Sequence, residues 1–77
     1  MNTTTYSKFV IKGSHRSKQS YVDDLNGNHL FTIDKETDAF FGQQTTSYFV
    51  RSASAKYRNF IADSWQHVIS QLNKIIA

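Results

Sequence analysis

Seventy-seven residues, 39% of them apolar and 14% aromatic, make one small domain spanning residues 1–77. A chain this short hides only about 60% of the surface it exposes when unfolded, which leaves little interior for a cofactor pocket. Nine Lys and Arg against six Asp and Glu give a net charge of +3, which favours anionic partners without identifying one, and the absence of cysteine removes disulfides, thiolate metal sites and thiol nucleophiles. A reducing, cytoplasmic setting is expected, and no apolar run approaches the roughly 18 residues of a membrane span.

In chain order, Tyr6, Lys8, Val10 and Lys12 alternate with Phe9 and Ile11, the period of two that predicts a first strand over about residues 5–13. Residues 13–19 are polar and read as a loop. Strands over about 20–25 and 29–34 flank Asn26-Gly27, a pair that tolerates the positive φ angles of a tight primed turn. Residues 34–44 read as a loop whose Phe40 or Phe41 anchors it in the core. A fourth strand follows over 45–52, with Tyr48 and Val50 on the face opposite Phe49 and Arg51. Tyr57, Phe60, Ile61, Trp65, Val68, Ile69, Leu72, Ile75 and Ile76 then recur by threes and fours, which predicts an amphipathic helix over about 54–76 capped by Ser52 or Ser54. The expected architecture is α+β: a four-stranded antiparallel meander with one long C-terminal helix packed on one face (ββββα). Phe9, Ile11, Tyr21, Phe31, Ile33, Tyr48 and Val50 are the sheet's expected contribution to the core.

Chemistry-bearing patterns are sparse. His15, His29 and His67 share no ligand spacing, so no metal site is expected. Asp34, Glu36 and Asp38 copy the first three positions of a calcium loop, but Ala39 stands where the sharp turn needs glycine and Thr45 where the closing glutamate belongs. No phosphate loop, nucleophile elbow or dinucleotide fingerprint occurs, and the expectation is a protein with no catalytic residue and no cofactor.

Charge is segregated along the chain. Residues 1–22 carry Lys8, Lys12, Arg16 and Lys18 and no acid, whereas Asp23, Asp24, Asp34, Glu36 and Asp38 follow against Lys35 alone; Arg51, Lys56 and Arg58 then restore positive charge. Tyr6, Lys8, Lys12, Phe49 and Arg51 are expected to form a basic and aromatic outer sheet face, suited to phosphates and bases or to an acidic protein surface. Lys56 and Arg58, at the expected helix start beside unpaired N–H groups, make a candidate anion site. With Arg16 and Lys18 they complete the expected binding set for a protein partner or nucleic acid. The free edges of the sheet leave a homodimer open.

Two resemblances bear on function. Gly13-Ser14-His15-Arg16 at a strand end, followed by a polar strand, the Asn-Gly turn and another strand, resembles the Gly-Ser-His segment of HicA-type ribonuclease toxins, which implies RNA cleavage carried by His15. The family's preceding helix is missing, and the stretch from the histidine to the turn is longer here. As a whole, the short, cysteine-free, Asn-, Ser-, Thr- and Gln-rich chain resembles in type the small proteins of phages and mobile elements, anti-CRISPR inhibitors among them. That likeness implies a non-enzymatic inhibitor docked on a host nucleic-acid-handling complex, such as a CRISPR effector. Direct nucleic-acid binding is the alternative.

Overall fold

Six segments of the chain can pair edge to edge, and in the computed structural model, which describes residues 3–76, all six do. Strands β1 (Thr3–Thr5), β2 (Phe9–Lys12), β3 (Gln19–Asp24), β4 (His29–Phe40), β5 (Gln43–Ser52) and β6 (Phe60–Ala62) form one antiparallel meander in sequence order, and helix α1 (Trp65–Ile75) closes one face. The α+β class, the antiparallel sheet and the C-terminal helix agree with expectation. The count of four strands does not.

Each extra strand has a local cause. The expected first strand breaks because Tyr6 N donates to Phe9 O at 2.7 Å, a tight turn that folds Thr3–Thr5 back on residues 10–12. The β-branched threonines suit the extended ladder. The supposed helix start is also β structure: Phe60 and Ala62 point inward and Ile61 outward, and the three pair with Val50, Phe49 and Tyr48. Apolar residues at 57, 60 and 61 fit a helical stripe equally well over so short a window, which is why the sequence merged them with α1. The helix therefore begins at Trp65, and its cap is Ser64, whose Oγ accepts from His67 N at 3.1 Å, rather than Ser52 or Ser54.

The segment expected to be a loop, 34–44, consists mostly of strand. Residues 35–40 of β4 continue to pair with residues 43–48 of β5, so Phe40 and Phe41 lie at the hairpin tip, exposed, and anchor nothing in the core. The Asn26-Gly27 hairpin is present with a different turn: Gly27 N donates to Asp24 O at 3.1 Å, so the two central residues are Leu25 and Asn26, neither with positive φ, and Gly27 follows them in the left-handed region. The carboxylate of Asp24 accepts from the N–H groups of Asn26 and Asn28, which fixes the turn from within.

Phe9, Ile11, Val22, Phe31, Ile33, Tyr48, Val50 and Ala62 form the buried sheet layer against Val68, Leu72 and Ile76. Tyr21 is on the outer face instead, because Ser20 and Val22 take the inward positions of β3. Ser20 is buried against Gly13, where a Cβ would sit 2.4 Å from its Oγ.

Candidate binding surface

Antiparallel pairing decides which charges meet on the outer sheet face. Val10 opposes Asp23, so Lys12, two residues along β2, brings its Nζ to 3.1 Å from Asp23 Oδ2. The other oxygen of Asp23 lies 3.1 Å from His29 Nδ1, and His29 Nε2 lies 2.9 Å from Thr32 Oγ1. Arg51 is ion-paired with Asp34, which also accepts from Gln19 Nε2 at 2.9 Å; Tyr21 OH in turn donates to Gln19 Oε1 at 2.6 Å. The basic and acidic blocks, separate in the sequence, are thus interleaved by the register. Lys12 and Arg51 are both occupied by carboxylates, and the face is a neutralised polar network with half-buried Phe49 and exposed Ile61 opposite each other near one edge.

The remaining expected residues scatter. Tyr6 stacks on Phe9 with ring centroids 4.9 Å apart, on the helix side of the sheet, where it lines a groove with Trp65 and Ile69; it does not share a face with Lys12. Lys8 is exposed in the β1–β2 turn. Arg16 and Lys18 lie in the β2–β3 loop, and Lys18 O accepts from Lys35 N at 2.8 Å, which ties that loop to the point where β4 leaves the sheet. Lys56 and Arg58 belong to the loop between β5 and β6 and not to a helix, so the anion site expected at a helix start loses both its cations. Lys56 Nζ instead sits 5.4 Å from the centroid of the Tyr57 ring. His15 is exposed in its loop, and its carbonyl accepts from Tyr48 OH at 3.3 Å. Burial raises the Tyr48 hydroxyl above its ordinary pKa, so it stays a donor across the neutral range.

Among the described residues, the most exposed apolar feature is one the sequence assigned to the core. Pairing with β3 ends at Asp34 and pairing with β6 ends at Tyr48, so beyond these residues β4 and β5 form a two-stranded arm about 20 Å long. At its tip Phe40 is 71% exposed and Phe41 93%, their rings packed edge to face at 4.5 Å. Phe41 (φ 51°) and Gly42 (φ 79°) are the two central residues of the turn, both left-handed. Such turns favour Asn or Gly at the first position, and a bulky residue there is held at a cost of about 1–3 kcal/mol. Alternation places Glu36, Asp38 and Phe40 on one face of the arm. Spread at two-residue steps of about 7 Å along an extended strand, with Asp34 committed to Arg51, the three acids cannot wrap a calcium ion.

Among the described residues, no three His, Asp or Glu side chains are grouped as a metal site would need, and no helix is long and apolar enough to cross a membrane. Compared with known proteins, the chain matches no family model, no curated protein and no solved structure.

Proposed function

We propose that this protein is a non-enzymatic inhibitor of the type it resembles, and that it docks the tip of the β4–β5 arm into a protein that handles nucleic acid. The observation that carries this reading is the pair Phe40 and Phe41, exposed at the end of the arm with Phe41 in a backbone conformation that disfavours it. Neither ring supports the fold, and a turn built for stability would use Asn-Gly. Aromatic side chains dominate interface energetics, and burying two phenyl rings contributes about 3–6 kcal/mol, two to four orders of magnitude in affinity.

The charges of the arm indicate the partner's chemistry. Glu36 and Asp38 share a face with Phe40 and make no ion pair among the described residues. They suit a cleft lined by Lys and Arg, the electrostatic character of a site that takes a nucleic-acid strand, and they repel the strand itself. Cleavage of labelled DNA by a panel of CRISPR effector complexes, titrated with the protein, tests the proposal. Wild type inhibits, Phe40→Ser with Phe41→Ser requires at least about 100-fold more protein, and Lys12→Gln with Arg51→Gln, which removes both cations without setting like charges against Asp23 and Asp34, inhibits as wild type. Inhibition that ignores the tip contradicts the reading.

Direct nucleic-acid binding is favoured by one observation. The Lys35–Lys18 backbone bond gathers Arg16, Lys18 and Lys35 at the foot of the arm, and none of them makes an ion pair among the described residues. That reading expects affinity for labelled strands that falls steeply with salt and is lost in Arg16→Glu with Lys18→Glu.

A further inference from the structure

We infer that a second copy of this chain receives the arm tip, so that copies join head to tail. The inference rests on the arm being a docking element and adds a site for it on the protein itself. At the pole opposite the tip, Lys56, Tyr57, Arg58, Asn59, Phe60 and Ile75 line an open groove of about 440 Å³. That volume lies within the roughly 300–1,000 Å³ of pockets that accept small-molecule-sized groups, enough for two phenyl rings. Its aromatic floor is held by the core: the rings of Tyr57 and Phe60 lie 5.2 and 6.3 Å from that of Phe31. Its rim carries two exposed cations, Lys56 and Arg58, that make no ion pair among the described residues.

The arm presents the complement: two phenyl rings, with Glu36 and Asp38 set back from them along the ribbon. The groove lined by Tyr6, Trp65 and Ile69 offers a single cation, Lys74, among Gln66, Ser70 and Asn73, and matches less well. The chain cannot satisfy its own groove. Phe40 lies nine residues along β4 from Phe31, about 30 Å on a hydrogen-bonded ladder, so the occupant is another molecule. Tip and groove are different surfaces, so the contact is heterologous and propagates into a chain or closes into a ring.

Sedimentation velocity over a range of concentrations tests this with two variants whose changes are all at exposed residues. Wild type is expected to gain weight-average mass with concentration. Phe40→Ser with Phe41→Ser and, separately, Lys56→Glu with Arg58→Glu should each weaken association by about 30-fold or more. Mixed in equal amounts, the two variants should form a species of twice the monomer mass and stop there, because one supplies only an arm and the other only a groove. A wild type that stays monomeric, a groove variant that assembles as wild type does, or a mixture that stays monomeric overturns the inference. Tip-dependent inhibition by a monomeric protein would leave arm docking standing while self-association falls. Inhibition independent of the tip, with tip-dependent assembly, would do the reverse.

Discussion

The β4–β5 hairpin is one continuous ladder with two different halves. From Phe31 to Ile33 and from Tyr48 to Val50, alternate side chains are apolar and buried in the core that the sheet shares with α1, whereas from Glu36 to Phe40 and from Gln43 to Thr45 every residue is exposed. The inward positions of the covered half carry Phe31, Ile33, Tyr48 and Val50; their continuations along the arm are Lys35, Thr37, Ala39, Thr46 and Gln44. Stability and binding are thereby divided along a single pair of strands. The covered half is held by burial, and the arm is held by its backbone bonds and carries its apolar surface only at the end.

Substitutions in the two halves sharpen that contrast. Phe31→Ala removes a fully buried ring that contacts Tyr57 and Phe60 and should cost about 3–5 kcal/mol in denaturant unfolding. A loss under about 1 kcal/mol would mean that this half is not the core. Glycines give a second pairing, since Gly13 and Gly42 both have positive φ but only Gly13 is crowded. Gly13→Ala meets Ser20 as well as backbone strain and should cost about 2–4 kcal/mol, whereas Gly42→Ala, with nothing within 4 Å of its Cβ, pays for strain alone at about 1 kcal/mol. Equal losses at the two sites would remove the packing argument.

Phe41→Asn runs in the opposite direction. Asparagine accepts the left-handed backbone more readily, so unfolding should become harder by about 0.5–1 kcal/mol while docking weakens by about 10-fold or more. Destabilisation by this variant would show that the ring supports the fold.

The smallest effect concerns the other hairpin turn. The side-chain amide of Asn28 and then its backbone N–H hold the Asp24 carboxyl below its ordinary 3.8 against an opposing effect of burial, with weaker help from the N–H groups of Asn26 and Gly27. A depressed pKa in the folded state contributes stability that is complete above the unfolded value and is lost as pH falls through the folded one. The stability difference between wild type and Asp24→Asn should therefore shrink on acidification below pH 3.8. A difference that stays constant through that range would disconnect the carboxylate from the turn.

What the sequence revealed follows the same division. The strands around Asn26-Gly27 and the strand carrying Tyr48 and Val50 were legible because a core on one face imposes alternation, and the stripe Val68, Ile69, Leu72 and Ile75 marked the helix for the same reason. The arm was illegible because nothing covers it: Thr37, Ala39, Gln44 and Thr46 need not be apolar, so the period of two vanishes where the strands continue. Phe40-Phe41-Gly42 then looked like a core anchor rather than a tip, and a two-residue turn with Gly second was the only signal available. The neutralised outer face was hidden for another reason. Lys12 meets Asp23, and Arg51 meets Asp34, through strand register, which no local pattern encodes.

Photo-crosslinking in the cells that express the protein, with benzoylphenylalanine placed at position 41 in one variant, at 12 in a second and at exposed position 73 in a third, decides whether the arm tip is the surface that docks. A protein adduct is expected at position 41, identified by mass spectrometry as a foreign chain, alongside a second copy of this one, attached near the tip and absent at 12 and 73. An adduct at position 12 with none at 41, or nucleic acid in place of protein at 41, would contradict docking through the tip.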